Sequence, residues 1–244
     1  VPEAGDSGSA RPSLRVSVVI PAFDEAAVIG RLIEEVAAAI RGWDAEILAV
    51  DDGSSDGTGA VLASCATVER RLRVLHHASN LGKAAAIRTA LAQATGDVVL
   101  IQDADLEYSP RDYAALLAPF ADPGVEAVYG SRFLLRPWPS GMAVANWMAN
   151  KLFVGLTNLL YRSALTDEGT GYKVFRRRVI EAARIASSRF EFCPEITAKL
   201  LRRGARIVEV PVSYEARSRE GGKKPGVRDG VAVLWALLRY RIGS

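Results

Sequence analysis

Short apolar runs rich in β-branched residues alternate with stretches of helical periodicity through the first hundred residues, and that alternation allows few architectures. Residues 16–20 read as a strand ending at Pro21, and residues 26–40 as a helix. Residues 46–50 form a second strand, which ends at Asp51-Asp52, and residues 58–69 a second helix. Residues 72–76 are a third strand, 82–94 an Ala-rich helix, and 97–102 a fourth strand ending at Asp103. Repeated units of this length predict an α/β fold on a mostly parallel, Rossmann-like sheet flanked by helices. In open sheets of that kind, ligands sit beyond the carboxyl ends of the strands. Three of the four strands run straight into polar clusters at that edge, at residues 21–25, 51–58 and 103–107.

The second half is less regular. Residues 127–130 look like another strand, 141–160 a helical stretch, and 207–214 a strand leading into a basic segment. A last helical pattern runs from about 227 to 241. The organisation expected is a loose tail at 1–13, one catalytic-sized domain at 14–225 and an amphipathic helix at 226–244, with no repeats and no interdomain linker. A length of 244 residues and 49% hydrophobic content suit one large domain with a substantial core and argue against disorder.

Net charge is only +3, yet residues 217–241 hold seven Lys or Arg against two acids, Glu220 and Asp229. A local field of that sign suits an anionic ligand, although a solvated face is the plainer reading. Aromatic content is 7%, the basic residues are not interleaved with aromatics, and no nucleic-acid motif appears, so nucleic acid is not expected as a partner. Cys65 and Cys193 lie far apart and form no metal-like or redox-like pair, which points to a reducing compartment. The tail lacks the basic start and apolar stretch of a signal peptide. The longest apolar stretch, 142–160, is interrupted by Asn146, Asn150, Lys151 and Asn158, so no bilayer span is expected.

The segment Gln102-Asp103-Ala104-Asp105-Leu106-Glu107 carries the most chemistry. Two carboxylates two residues apart point the same way in extended geometry. They repel unless a cation sits between them, and a hard divalent ion, Mg²⁺ or Mn²⁺, accepts such oxygens together with those of a diphosphate. Glu107 is placed to add a third oxygen. Asp51-Asp52-Gly53-Ser54-Ser55-Asp56-Gly57-Thr58 reads in part as a turn with a helix cap. Its second aspartate exceeds what a cap needs, and an acceptor-only side chain there suits a base or a ribose hydroxyl. Asn80-Leu81-Gly82-Lys83 opens the Ala-rich helix, where backbone amides and the Lys83 charge can hold an anion. It lacks the spacing of a Walker motif.

Taken in order, Val18-Val19-Ile20-Pro21-Ala22-Phe23-Asp24-Glu25, the Asp51–Thr58 cluster, Asn80-Leu81-Gly82-Lys83 and Asp103-Ala104-Asp105 resemble family 2 glycosyltransferases of the GT-A fold. Gly130-Ser131-Arg132, Thr166-Asp167-Glu168-Gly169-Thr170-Gly171-Tyr172-Lys173-Val174-Phe175, Phe192-Cys193-Pro194-Glu195 and Arg217 with Gly222-Lys223-Lys224 resemble the dolichol-phosphate mannose synthase branch. The resemblance covers about 16–224 and implies roles. Pro21, Phe23, Glu25, Val50 and Asp52 would hold the nucleoside, with Lys83, Gln102, Asp103, Ala104 and Asp105 completing the nucleotide-sugar site. Asp103 and Asp105 would ligate Mg²⁺ or Mn²⁺, with Glu107 where that family often has Gln. Phe23 stands where many members have Tyr. Asp105, Arg132, Arg217 and Lys223 would serve catalysis, the last two from a lid over the diphosphate. Arg132, Thr170, Tyr172 and Lys224 would meet the acceptor.

The same resemblance implies transfer of a sugar, with inversion, from a nucleotide-sugar donor to a polyprenyl phosphate. GDP-mannose is the first expectation and UDP-glucose the second; a polysaccharide or protein hydroxyl acceptor remains the alternative, with a non-catalytic basic binding protein behind it. A phosphate monoester has a second pKa of about 6 and is already anionic near neutrality, so no dedicated base is required. His76 and His77 read as structural. Val144, Met148, Leu152, Leu156 and Leu159 recur at helical spacing, as do Val227, Val231, Leu234, Trp235 and Leu238. Core packing and a lipid interface both fit such stripes, and the resemblance favours the interface for the first. The expected setting is the cytoplasmic face of a membrane, peripherally bound, with a separate membrane subunit left open.

Overall fold

The computed structural model describes residues 14–187, 191–216, 235, 237 and 239–241. The tail at 1–13 and most of the expected C-terminal helix lie outside these described residues. In chain order the elements are β1 (Val16–Ala22), α1 (Ala26–Ala39), β2 (Ala45–Asp51), α2 (Thr58–Val68), β3 (Leu72–His76), α3 (Lys83–Leu91) and β4 (Val98–Ile101). There follow α4 (Tyr113–Leu117), β5 (Ala127–Ser131), α5 (Val144–Tyr161), β6 (Lys173–Arg176), α6 (Arg177–Ala182), α7 (Phe192–Arg202) and β7 (Ile207–Pro211).

One seven-stranded sheet has the order β3-β2-β1-β4-β6-β5-β7. Only β6 runs against its neighbours, β4 and β5; the β1–β2, β1–β4, β2–β3 and β5–β7 pairs are parallel. The strand order reverses at β1, between β2 and β4. In such a sheet the cleft opens at that point, beyond the carboxyl ends.

Alternation along the strands makes two cores. Val18 and Ile20 of β1 pack with Ile47, Leu100 and Val174 under α1 and α2, against Ile29, Leu32, Val36 and Leu62. Val19 packs on the opposite face with Leu48, Val50, Ile101 and Phe175, under Ile87 of α3 and Ile196 and Leu200 of α7. Strands buried on both faces read as continuous apolar runs, and so the sequence reveals them.

Pro21 does not end β1, as expected, but lies within it. Val19 O accepts from Gln102 N and Ala22 O from Asp52 N. Alternation therefore aims the absent Pro21 N–H toward β4, which has already stopped at Ile101, so no ladder bond is lost.

Helix α7 was not expected. Pro194 stands in its first turn, where the missing N–H has no helical partner to lose. Beside it, Glu195 is fully buried and accepts from Ala186 N at 2.7 Å and Ser187 N at 2.8 Å, and pairs with Lys199 one turn on. Burial alone would raise its carboxyl; the Lys199 ammonium and the two backbone donors outweigh that and hold it at about 2. A depressed folded-state pKa stabilises above the unfolded value, near 4.5, and that contribution fades as pH falls toward 2. Glu195→Gln is expected to cost on the order of 2 kcal/mol at pH 7 and much less at pH 3, measured by urea unfolding at both.

Candidate active site

Three loops meet at the carboxyl edge and bind one another. Asp24, at φ 53°, accepts from Ser55 N at 2.8 Å, and its own N–H donates to Ser54 Oγ at 3.0 Å. Glu25 N donates to Thr58 Oγ1 at 2.8 Å and Ala26 N to Asp56 Oδ2 at 2.9 Å. Gly53, at φ 72°, lies so close to the Ser79 and Asn80 backbone that a Cβ would overlap it. These contacts make a rigid floor, on which the Phe23 ring stands 44% exposed, a flat apolar surface for a base.

In this structure the Asp52 carboxylate turns inward and binds the protein's own donors. It is 2% exposed, and it accepts from Leu81 N at 2.9 Å, Gly82 N at 2.7 Å and His77 Nδ1 at 2.6 Å. The Nδ1 of His77 must then carry a proton, and its Nε2 lies 2.9 Å from the Thr89 hydroxyl. The amides ahead of α3, expected to take a ligand anion, are thus taken by the protein's own. Val50 is fully enclosed in the core under α3, and its side chain reaches no ligand surface.

The acidic pair lies on a turn rather than on extended backbone, because β4 stops at Ile101 and Leu106 adopts φ 62°. Lys83, the first residue of α3, forms an ion pair with Asp103 Oδ1. The other oxygen, Oδ2, packs against Gly171, where any Cβ would overlap it. Burial, then the Asp103 and Glu107 charges, push the Asp105 carboxyl up to about 7. Crowded, partly desolvated carboxylates of this kind fit a hard divalent cation. Among the described residues no three His, Cys, Asp or Glu side chains converge into a full cage. In this structure Glu107 neighbours the Tyr214 hydroxyl. A cation here would draw its remaining ligands from a diphosphate and water, the usual arrangement for Mg²⁺.

Gln102 and Ala104 face inward. Gln102 is fully buried, with Oε1 accepting from Tyr113 OH at 2.8 Å and Tyr172 OH at 2.7 Å. Tyr172 and Thr170, expected at the acceptor, are also fully buried. Tyr172 belongs to an aromatic wall with Tyr108, whose ring centroid is 4.8 Å away, and Tyr108 contacts Tyr214 at 5.5 Å. Thr170 gives its carbonyl to Lys173 Nζ at 2.9 Å. Both residues support the site from behind.

Arg132, at the end of β5, meets Asp167 in a bidentate pair, Nε to Oδ2 at 2.7 Å and Nη2 to Oδ1 at 2.8 Å. The side chains are 10% and 0% exposed. The Arg132 guanidinium also lies over the Tyr214 ring, 5.2 Å from its centroid. The loop at 166–171 is held from every side. Glu209 of β7 accepts from Thr166 N and Asp167 N, Asn150 of α5 from Gly169 N, and Tyr108 OH from Gly171 N. Lys173 of β6, 1% exposed, donates to the Glu168 carbonyl. The sequence reading assigned no role to Asp167, Asn150 or Tyr108. An aspartate and two glycines within one six-residue loop were the available signal for the first. Arg217, Lys223 and Lys224 lie outside the described residues.

A mostly parallel sheet whose strand order reverses at β1, with two carboxylates just beyond the carboxyl end of β4, has the architecture of the GT-A fold. The solved structure of glucosyl-3-phosphoglycerate synthase from Mycobacterium tuberculosis, in complex with Mn²⁺, UDP and glucosyl-3-phosphoglycerate, superposes with a TM-score of 0.72 at 20% identity, covering 93% of this chain and 80% of that one. Residues 17–183 match the model of glycosyl transferase family 2, and the chain belongs to that family. It is similar to a polyprenol monophosphomannose synthase of Mycolicibacterium smegmatis, 30% identical over 91% of this chain and 85% of that protein. It is also 28% identical to a dodecaprenyl-phosphate galacturonate synthase of Rhizobium johnstonii, over 93% of this chain and 66% of that protein.

Proposed function

We propose that this glycosyltransferase moves a sugar, mannose from GDP-mannose as first choice, onto a polyprenyl phosphate at the cytoplasmic surface of a membrane. The orientation of α5 carries this reading. A helix in water turns its apolar stripe inward. Here Val144, Met148, Leu152 and Leu159 are 59%, 60%, 62% and 79% exposed, while Asn150 and Asn158 turn inward and hydrogen-bond the protein. Leu134, Leu135 and Trp138 extend the exposed apolar surface, and Trp138 stacks on Trp147 at 5.1 Å. Lys151 lies over the Phe133 ring at 4.0 Å, an arrangement of cation and aromatics suited to a lipid interface. Among the described residues no helix is long and apolar enough to cross a membrane, so α5 would lie along the surface. The same helix holds, through Asn150, the loop that carries the partner of Arg132.

In the step inferred, an oxygen of the acceptor phosphate bonds to the anomeric carbon. The bond from that carbon to the nucleoside diphosphate breaks, and its electron pair leaves on the diphosphate. Phe23 would seat the base and Arg132 would face the acceptor anion. Asp103 and Asp105 would hold a divalent cation, which when bound stabilises charge on the leaving diphosphate. Lys83, paired with Asp103, would bring a further positive charge to the same oxygens. The acceptor phosphate is already ionised, so no side chain need remove a proton. The mannose choice draws on the M. smegmatis relative, and the R. johnstonii relative keeps a uronic acid donor as the second reading.

Labelled GDP-mannose, UDP-glucose and UDP-galacturonate, offered with Mn²⁺ to the protein on vesicles with and without undecaprenyl phosphate, test this directly. Label is expected in the lipid fraction, for one donor, only when the polyprenyl phosphate is present. Transfer to soluble glycan or peptide hydroxyls in its absence would sink the reading.

A further inference from the structure

We propose that Lys83 is the resident counter-ion of the acidic pair. It holds Asp103 until a donor arrives, and it turns to the donor diphosphate when a divalent cation takes its place. Cation and nucleotide would then bind as a coupled pair. The inference rests on Asp103 and Asp105 being the cation's ligands.

The contact between Lys83 Nζ and Asp103 Oδ1 is an ion pair whose side chains are only 23% and 19% exposed. Water therefore screens it little. The base of Lys83 is fixed. Leu81 N and Gly82 N are bound to Asp52, Asp52 is bound to His77, and His77 to Thr89 of the same helix. Gly82 turns into the helix at φ 98°. With its backbone anchored on both sides, Lys83 can move only by swinging its side chain.

Asp103 has little room to serve two cations. Its Oδ2 is backed by Gly171, and its Oδ1 faces the ammonium. A dication drawn to this carboxylate meets a positive charge already in place, and the two repel. Among the described residues Asp105 has no ion pair of its own, and the nearby Lys83 charge favours its ionised form only weakly. Before the donor binds, one ammonium thus offsets two carboxylates in part. Once a cation and a diphosphate both enter, the ammonium loses Asp103 and gains phosphate oxygens on the same side. Each ligand removes an obstacle to the other, and by linkage the assistance is reciprocal.

The test compares wild type with Lys83→Met and, as a second variant in case the first is poorly folded, Lys83→Gln. Mn²⁺ binding without nucleotide is read from the loss of the free-Mn²⁺ electron paramagnetic resonance signal. GDP and UDP binding is read by calorimetry with and without Mn²⁺. Removal of the ammonium is expected to tighten Mn²⁺ binding alone at least about tenfold, because a unit positive charge a few ångströms away is lost. It is expected to weaken nucleotide binding in Mn²⁺ about tenfold, and to shrink the factor by which each ligand helps the other. Equal or weaker Mn²⁺ binding in both variants overturns the counter-ion role while leaving the acidic pair as a metal site. Failure of wild type and variants alike to bind Mn²⁺, with or without nucleotide, overturns the acidic-pair reading and this inference with it.

Discussion

Asp105→Ala is expected to lower kcat by about 10³-fold or more while leaving the fold intact. The leaving nucleoside diphosphate gains negative charge as its bond to the sugar breaks. A prepositioned electrostatic partner for such charge is worth roughly 10²–10³ in rate when a single donor is lost. Losing a divalent cation's contribution costs several kcal/mol, and each 1.36 kcal/mol is about tenfold. Asp103 alone cannot compensate, because it offers a single carboxylate whose Oδ2 is backed by Gly171. The fold has little to lose. Among the described residues Asp105 makes one hydrogen bond, from Glu107 N at 3.1 Å, and its burial next to Asp103 and Glu107 works against its charge. Its removal relieves that crowding, so the melting temperature is expected to fall by no more than about 2 °C. Steady-state kinetics at saturating Mn²⁺ and scanning calorimetry check both halves. Turnover within tenfold of wild type would remove the acidic pair from the chemistry.

The features legible in the sequence are those whose physics is local. The inner strands β1, β2 and β4 are buried on both faces, so each is a mostly apolar run, whereas β3, at the sheet edge, is legible only from Leu72, Val74 and Leu75. The strand β6 is hidden because its four residues, Lys173-Val174-Phe175-Arg176, begin and end with cations. Lys173 is nonetheless buried, since the Glu168 and Thr170 carbonyls and the Tyr129 ring satisfy its ammonium, and no window of sequence shows that. The site divides in the same way. Asp103, Asp105 and Lys83 follow directly from strand ends and a helix start. Asp52, Gln102, Thr170 and Tyr172 carry groups that look available for a ligand, but the fold uses them to bind one loop to another. Whether a carboxylate faces solvent or a neighbouring amide depends on chain segments 30 to 70 residues away, as in Gly82 N to Asp52 and Tyr172 OH to Gln102. The inverted α5 shows the limit most clearly: the stripe is plain in the sequence, but not the side of the helix it covers.

Asp167→Ala is expected to destabilise the protein by about 3–5 kcal/mol and to reduce activity about 10²-fold, and the two losses can be separated. In the native structure Asp167 fills both lateral donors of Arg132 and also accepts from its backbone N–H at 3.1 Å. Deleting the carboxylate strands a guanidinium that is 90% buried, and an unpaired buried charge costs far more than the pair contributed. Removing both charges is a different perturbation. An Arg132→Met, Asp167→Leu double variant buries apolar volume in place of the pair, and such exchanges are often near neutral. Recovery should be partial, because the Arg132-position N–H still loses its acceptor. Activity should not recover at all, since no cation would remain to face an acceptor anion over the Tyr214 ring. Urea unfolding of the two single variants and the double gives the coupling energy, expected to exceed about 2 kcal/mol. Kinetics on the same proteins gives the second axis. A double variant that regained both stability and turnover would show that the pair only fills space; one that regains stability alone assigns Asp167 the task of aiming Arg132 at the acceptor.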